Sequence, residues 1–379
     1  MKFRCERDVL LDALTTANRA VGRGGALPVL SGVRLETSGN RLSLAGTDLD
    51  LTIQVTTTVT GSEDGVSIAP GRLVTDIVRA LEPGAVLIDG DDEDLRITAG
   101  RSQFSVRTHP AADFPRLPAP APDAVTLPAA GLAEALRQVI RAASSEDTRP
   151  ILTGVLVAAE QDGLRLVATD SYRLAVRDLP GVGILQEGQK VLVPSRALSE
   201  LQRLLGAGSG SAGAAGAGGE EGAAAVGLRL GEHDATFETG SVRLTTRLIE
   251  GEFPNYRQLI PAEYPNCLKV GREALLDAVR RVKLLVRDPT TPVRIALRSD
   301  AIELTVITQD WGQATEEVDA KYEGAEMTVA FNPNYLIDGV EAITSDEIQL
   351  DTLDALKPAT IRSTEGTGYL YLLMPVRVS

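Results

Sequence analysis

Thr148-Arg149-Pro150-Ile151-Leu152-Thr153-Gly154-Val155, with Leu164-Arg165-Leu166-Val167-Ala168-Thr169-Asp170 behind it, is one of three versions of the same passage in this chain. An earlier version reads Ala26-Leu27-Pro28-Val29-Leu30-Ser31-Gly32-Val33, then Leu42-Ser43-Leu44-Ala45-Gly46-Thr47-Asp48. A worn version reads Thr290-Thr291-Pro292-Val293-Arg294-Ile295-Ala296-Leu297, then Ile302-Glu303-Leu304-Thr305-Val306-Ile307-Thr308-Gln309-Asp310. Solenoid repeats run about 20–50 residues, whereas Pro28 to Pro150 and Asp48 to Asp170 both span 122. Pro150 to Pro292 spans 142, and the surplus of 20 matches a 20-residue low-complexity run from Gly206 to Ala225. Phe114-Pro115, Phe253-Pro254 and Met374-Pro375 close the three units. A whole small domain has been triplicated, and three equal domains in a row suggest a curved or closed assembly.

Each repeat reads as two β-α-β-β-β halves. In the first, Arg7 to Val21 has apolar residues at helical spacing. Alternating runs at Gly32 to Glu36, Arg41 to Ala45 and Leu49 to Val55 predict three strands. The order then recurs: a strand at Val66 to Ile68, a helix from Gly71 to Leu81, and strands at Ala85 to Asp89, Leu95 to Thr98 and Gln103 to Arg107. Further helices are expected at Ala129 to Ala143, Ser195 to Leu205, Arg272 to Arg287 and Asn334 to Ile343. Antiparallel strands with one helix per half imply an α+β fold, its sheets covered by helices on one face only. Proline-rich linkers (Pro115, Pro118, Pro120 and Pro122, then Pro254, Pro261 and Pro265) hold neighbouring units stiffly.

Composition is that of an ordinary globular protein of two or three domains: 379 residues, 43% hydrophobic and 24% charged. Aromatics make up only 4%, so the cores should be aliphatic. No apolar run approaches the roughly 20 residues of a membrane span, and the opening residues read as strand and helix rather than a leader. Two cysteines, Cys5 and Cys267, fall in different repeats, look structural and fit a reducing compartment. The expected location is the cytoplasm.

The net charge of −14 argues against nucleic acid as a whole, but the bases are not scattered. Arg72 and Arg79 are seven apart, Arg196 and Arg203 repeat that spacing in the second unit, Arg137 and Arg141 are four apart, and Arg280 and Arg287 are seven apart with Arg281 and Lys283 nearby. Arg19 and Arg23 end the first helix. Such spacings put side chains on one helix face. The acids gather elsewhere, in Asp89 to Asp94, Glu220-Glu221, Glu316-Glu317 and Asp346-Glu347. Any one such arginine could sit on a merely solvated face. The recurrence points to a basic wall inside an acidic shell, holding phosphates without regard to sequence.

No catalytic constellation is visible. The two histidines, His109 and His233, have no Glu-x-x-His partner, and there is no nucleophile elbow, Walker loop or Cys-x-x-Cys. The one Gly-x-Gly-x-x-Gly, Gly208 to Gly213, lies in the low-complexity run and reads as a loop. Asp89 to Asp94 lacks calcium-loop spacing and reads as a charged hairpin tip. Asp48 and Asp170 recur in matching Thr-Asp pairs and read as turn residues.

Taken together, the triplication, Ala168-Thr169-Asp170-Ser171-Tyr172-Arg173-Leu174-Ala175, Glu252-Phe253-Pro254-Asn255-Tyr256-Arg257 and Leu372-Leu373-Met374-Pro375-Val376-Arg377 resemble the bacterial DNA polymerase III beta sliding clamp family over the whole chain, as do Met1-Lys2-Phe3 and Glu6-Arg7. The resemblance implies three clamp domains, at residues 1–121, 122–254 (with the insert 206–225) and 255–379. It further implies a head-to-tail homodimeric ring with sheets outside and helices lining the hole, encircling duplex DNA beside the nucleoid. No cofactor or metal is implied. The partners would be the clamp loader, the replicative polymerase and other clamp-motif proteins, with no membrane. The positions implied for DNA contact are Arg23, Arg72, Arg79, Arg137, Arg141, Arg149, Arg196, Arg203, Arg280 and Lys283. Those implied for a partner-peptide pocket are Leu152, Thr169, Ser171, Tyr172, Arg173, Leu174, Pro254, Leu259, Asn332, Tyr335, Leu372, Met374, Pro375, Val376 and Arg377. Phe104 on one side and Leu284 with Leu285 on the other match the dimer contact. Ser171-Tyr172 stands where the family often has Gly-His, the insert is atypical, and the last helix carries Asp338 and Glu341 but no base. Two other readings stay open from the residues alone: an enzyme with a site at Asp170, Tyr172 and Arg173, and a protein scaffold with no DNA in its centre.

Overall fold

A computed structural model describes residues 1–22, 25, 27–160, 163–181, 188–208, 225–366 and 368–377. Arg23, Glu220-Glu221 and most of the low-complexity run lie outside these residues. Six β-α-β-β-β halves follow one another. The first is β1 (Lys2–Glu6), α1 (Arg7–Ala17), β2 (Gly32–Ser38), β3 (Arg41–Thr47) and β4 (Leu51–Thr58), trailed by a short β5 (Thr60–Glu63). The second is β6 (Gly65–Pro70), α2 (Gly71–Ala80), β7 (Ala85–Gly90), β8 (Asp94–Ala99) and β9 (Ser102–Arg107). The central repeat gives β10 (Val125–Pro128), α3 (Ala129–Val139), β11 (Gly154–Glu160), β12 (Gly163–Thr169) and β13 (Arg173–Pro180), then β14 (Lys190–Pro194), α4 (Ser195–Gly208), β15 (Ala225–Leu230), β16 (Asp234–Thr239) and β17 (Val242–Arg247). The last gives β18 (Asn266–Gly271), α5 (Arg272–Val282), β19 (Val293–Leu297), β20 (Ala301–Thr308) and β21 (Gly312–Glu323), then β22 (Met327–Phe331), α6 (Pro333–Glu341), β23 (Glu347–Thr352), β24 (Ala359–Ser363) and β25 (Tyr369–Leu373).

The halves exchange their first strands. In one compact unit, residues 1–129 and 200–248, the sheet β5-β1-β7-β8-β9 contains β1 of the first half beside the strands of the second. The eight-stranded sheet β10-β15-β16-β17-β4-β3-β2-β6 takes β6 in return and joins the first repeat to the central one through β4 and β17. The other unit, residues 130–199 and 249–379, is built on a single twelve-stranded sheet, β14-β11-β12-β13-β25-β24-β23-β18-β21-β20-β19-β22, with β13 and β25 as the seam between repeats. Repeat boundaries in sequence are therefore not sheet boundaries in space.

Helices form where apolar spacing buries one stripe. Leu10, Ala13, Leu14 and Ala17 of α1 are buried, as are Leu275, Leu276, Val279 and Val282 of α5. Their exposed first N–H groups find carbonyls outside the helix: Arg7 N–H donates to Gly84 O at 2.8 Å, and Arg272 N–H donates to Asp346 O at 2.8 Å. Gly46 is required beneath α1, since a Cβ there would lie 2.1 Å from Ala17 O.

Three helix ends differ most from the sequence reading, each by four or five residues. α1, α3 and α5 stop at Ala17, Val139 and Val282, and each continues as one 3-10 turn. Arg287 therefore lies beyond the helix, its guanidinium 5.5 Å from the Trp311 ring, rather than on the face of Arg280. β5 has no forerunner in the sequence pattern; its counterpart is the far end of the long β21. Both cysteines are free, and burial pushes the Cys5 thiol up to about 12, with Glu6 adding to it.

Candidate functional site

The turn between β12 and β13 is written by Thr169-Asp170. Asp170, 7% exposed, accepts the N–H groups of Tyr172 (2.9 Å) and Arg173 (3.0 Å) and the Arg173 Nε (3.0 Å). Thr169 Oγ1 donates to Arg173 O at 2.7 Å and accepts Ser171 N–H at 3.1 Å. This drives Ser171 into the left-handed region at φ 78°, where glycine is the unstrained choice. The turn presents Tyr172, 56% exposed, to solvent and holds the Arg173 guanidinium inward.

Arg173 ties the turn to α6. Its Nη1 lies 2.5 Å from Asp338, and its guanidinium sits 4.3 Å from the Tyr335 ring centroid. Tyr335 in turn stacks on Tyr172 with centroids 6.4 Å apart. α6 comes this close to β25 because residue 339 is glycine; a Cβ there would lie 2.4 Å from the Tyr371 ring, whose Oη donates to Tyr335 O at 2.9 Å. Asn332 caps α6, its side chain accepting Asn334 and Tyr335 N–H groups. Burial, then the Asp170 carboxylate, push the Tyr335 hydroxyl up, so it stays neutral.

Of the predicted pocket residues, Leu174 and Leu372 are 1% exposed and belong to one core cluster with Leu156, Val167, Val176, Leu192 and Tyr256. They form a floor rather than open walls, and Leu152 is also buried. Tyr172, Leu259 and Met374 supply exposed apolar surface, and Pro254 and Arg377 are exposed. Met374 N–H donates to Tyr172 O (2.9 Å) and Val376 N–H to Ala330 O (2.8 Å), which fixes the course of Met374-Pro375-Val376. The Asp170 carboxylate is engaged in the turn, Oδ1 accepting both backbone N–H groups and Oδ2 the Arg173 Nε.

The predicted bases are mostly paired. Arg137 makes two contacts to Glu134 (2.8 and 2.6 Å) and donates to the carbonyls of Glu341 (3.0 Å) and Ala342 (2.8 Å), which makes it a cap for the C-terminal end of α6. Glu341 also takes Arg141 at 2.6 Å and Arg280 at 2.8 Å, so the 3-10 turn after α3, helix α5 and helix α6 meet on one carboxylate. Arg79 pairs with Asp76 (2.5 Å), Arg149 with Glu146 (2.7 Å), and Arg203 with Glu200 (3.7 Å), which Arg19 shares at 3.2 Å. Arg72 and Arg196 are exposed, and Lys283 lies in the 3-10 turn after α5. Glu134 and Glu200 are what the sequence reading missed, and it named Asp338 and Glu341 only as acids of the last helix, not as partners of these bases. The i,i+3 pairs Glu134–Arg137 and Glu200–Arg203 were the available signal.

The predicted dimer residues are exposed at sheet edges or turns. Phe104 is 41% exposed on β9, which ends the five-stranded sheet, and Leu284 is 75% exposed with Leu285 half-buried beside it. Ile307 and Trp311, at the turn between β20 and β21, are 51% and 63% exposed and add apolar surface that sequence reasoning did not single out.

Known proteins match this arrangement throughout. Models of the DNA polymerase III beta subunit match in order: the N-terminal domain at residues 1–118, the central domain at 126–255 and the C-terminal domain at 257–377. The chain is 35% identical over 391 residues to the beta sliding clamp of Streptomyces coelicolor and 30% identical over 381 residues to that of Escherichia coli K12, with 100% of each chain covered. A solved sliding clamp from Bartonella birtlesii, bound to griselimycin, superposes with a TM-score of 0.90 at 32% identity over 100% of both chains. The chain belongs to the DNA polymerase III beta subunit family, the beta sliding clamps, and is a non-catalytic subunit of the DNA replication machinery.

Proposed function

We propose that two copies of this chain close head to tail into a ring around duplex DNA, with clamp domains at residues 1–121, 122–254 and 255–379, and tether the replicative polymerase and other clamp-motif proteins there. The strand pairings at the repeat seams carry this reading. β4 and β17 pair with Ile53 opposite Leu244, and β13 and β25 pair with Ala175 opposite Tyr371, which are equivalent positions one repeat on. The third pair of equivalents, β21 and β9, has no such partner among the described residues. β9 ends its sheet, and Gly312 to Asp319 of β21 pair with β20 alone. Transferring the register puts Phe104 of one copy opposite Gln313 of the next and Val106 opposite Trp311. A contact that joins different surfaces closes a ring when the rotation permits, and closure removes two exposed edges.

DNA is then held by topology, with weak phosphate contacts from Arg23, Arg72, Arg79, Arg137, Arg141, Arg149, Arg196, Arg203, Arg280 and Lys283. Arginines already paired with carboxylates exchange partners at little net gain, which suits a protein that must slide. Partner peptides would lie over the Leu174–Leu372 floor against Tyr172, Leu259 and Met374, with a flexible methionine accommodating different side chains. The working location is the nucleoid. The test is retention on nicked circular DNA after loading, half of each sample being linearised. Loss only on linearisation supports encirclement. Equal salt-driven loss from both forms would replace it with plain electrostatic binding.

A further inference from the structure

The unit formed by residues 1–129 and 200–248 contains a second copy of the Thr-Asp turn, and a cavity opens beside it. Thr47 Oγ1 accepts Leu49 N–H at 3.1 Å, and Asp48 Oδ1 accepts the N–H groups of Asp50 (3.1 Å) and Leu51 (2.8 Å). The β12–β13 turn repeats each of these contacts. Leu49 stands at φ 82°, as Ser171 does at 78°. Arg247 N–H donates to Asp50 O at 2.9 Å, the counterpart of Met374 N–H on Tyr172 O at the same distance. The cavity, about 430 Å³, is lined by Leu49, Asp50, Arg116, Leu117, Asp234 and Arg247 together with threonines of β4 and β17. That is the size of a small-ligand or short-peptide site. Its wall is firm, since Leu117 packs on a core of Val29, Leu30, Ile68 and Phe114.

The frame is the same but the lining has changed. Asp50 takes the place of Tyr172, Arg247 that of Met374, Thr52 that of Leu174 and Thr245 that of Leu372. Leu49 is 49% exposed on a strained backbone. A β3–β4 turn under selection for folding alone would carry Gly or Asn there, and residues held in such regions cluster at ligand sites. Within the lining, Arg116 and Arg247 are opposite in charge to Asp50 and Asp234, and no ion pair joins them among the described residues. Charges left without an ion-pair partner around an apolar contact define their complement: an acidic and a basic side chain flanking an aliphatic one.

We propose that this cavity is a second peptide-docking site, for an extended segment of a partner protein with a basic–aliphatic–acidic sequence. The proposal rests on the geometry of this turn and cavity, and stands whether or not the β12–β13 turn binds peptide. The experiment uses the full chain with labelled leucine and methionine methyl groups, titrated with acetyl-Lys-Leu-Asp-amide and with the uncharged acetyl-Gln-Leu-Asn-amide. Saturable shifts at Leu49 and Leu117 with half-saturation at about 1 mM are expected for the charged peptide, at least tenfold weaker for the uncharged one. Arg247→Glu should weaken the charged peptide about tenfold, leaving the Leu259 and Met374 methyls where they were. Should Asp50→Lys with Arg247→Glu restore binding to acetyl-Asp-Leu-Lys-amide, the charge complement is established. Equal responses to both peptides, no response at Leu49, or shifts indifferent to Arg247 would overturn the proposal.

Discussion

Leu284 offers the sharpest perturbation of ring closure. Burying a whole leucine side chain stabilises by about 1.5–3 kcal/mol, and 75% of Leu284 remains exposed in the single chain. Its burial at one junction is therefore worth about 1.5 kcal/mol. A two-fold ring contains the junction twice, so Leu284→Ala removes about 3 kcal/mol per dimer, roughly a 150-fold rise in the dimer Kd at 1.4 kcal/mol per tenfold. Leu356→Ala is the control, because Leu356 is 64% exposed but lies in the turn between β23 and β24, away from the free edge of β21. Sedimentation velocity across a dilution series reads both constants. A Leu284→Ala Kd within threefold of the parent, or an equal loss in Leu356→Ala, would refute the assignment of this edge as the junction. Adding Leu285→Ala should drive the protein further toward monomer.

Three further outcomes follow from the charge networks. Asp170→Ala removes the acceptor of two backbone N–H groups and one partner of Arg173, for about 2–4 kcal/mol in all; urea unfolding followed by circular dichroism checks this, and a change under about 0.5 kcal/mol would mean that the turn does not need the carboxylate. Glu341→Gln releases Arg141 and Arg280 from their shared carboxylate, so the log–log salt slope of duplex binding should steepen by about 0.9 for each base that turns to phosphate; an unchanged slope would exclude both from DNA contact. Hydrogen bonding from Arg141, opposed by burial and reinforced by Arg280, holds the Glu341 carboxyl below its ordinary value. A depressed carboxylate contributes stability that is full above the ordinary glutamate range near about 4.3 and is lost as pH falls through the folded value. Carboxyl carbon NMR should therefore show Glu341 titrating below that range and moving back toward it in Arg141→Ala, and a midpoint at or above it in the parent would contradict the network.

Much of this molecule is legible in its sequence. Apolar spacing locates the six helices of the described residues and seven strands of the first repeat, because burial of one stripe or one face is a local requirement written at period 3.6 or 2. The Thr-Asp turns are legible too, since a side chain that caps its own next N–H groups depends on nothing remote. Helix ends are less so: α5 reads as helical through Arg287 but stops at Val282, the last buried residue of its apolar stripe, and goes on as a 3-10 turn with no buried residue.

The spacing of bases suggests an open positive wall. Only the fold brings Asp338 and Glu341 of α6 to Arg141, Arg173 and Arg280, because Coulomb pairing depends on distance in space and the partners lie as far apart in sequence as Arg141 and Glu341. The same holds for the exchange of β1 and β6 between halves and for the seams at β4–β17 and β13–β25. Alternation tells a strand which face is apolar and leaves its neighbour undetermined, so the sequence by itself determined the repeat, the elements and the turns. The tertiary structure decided which edges are filled within the chain, which of them, β9 and the first part of β21 included, stay unpaired among the described residues, and which charges already neutralise each other.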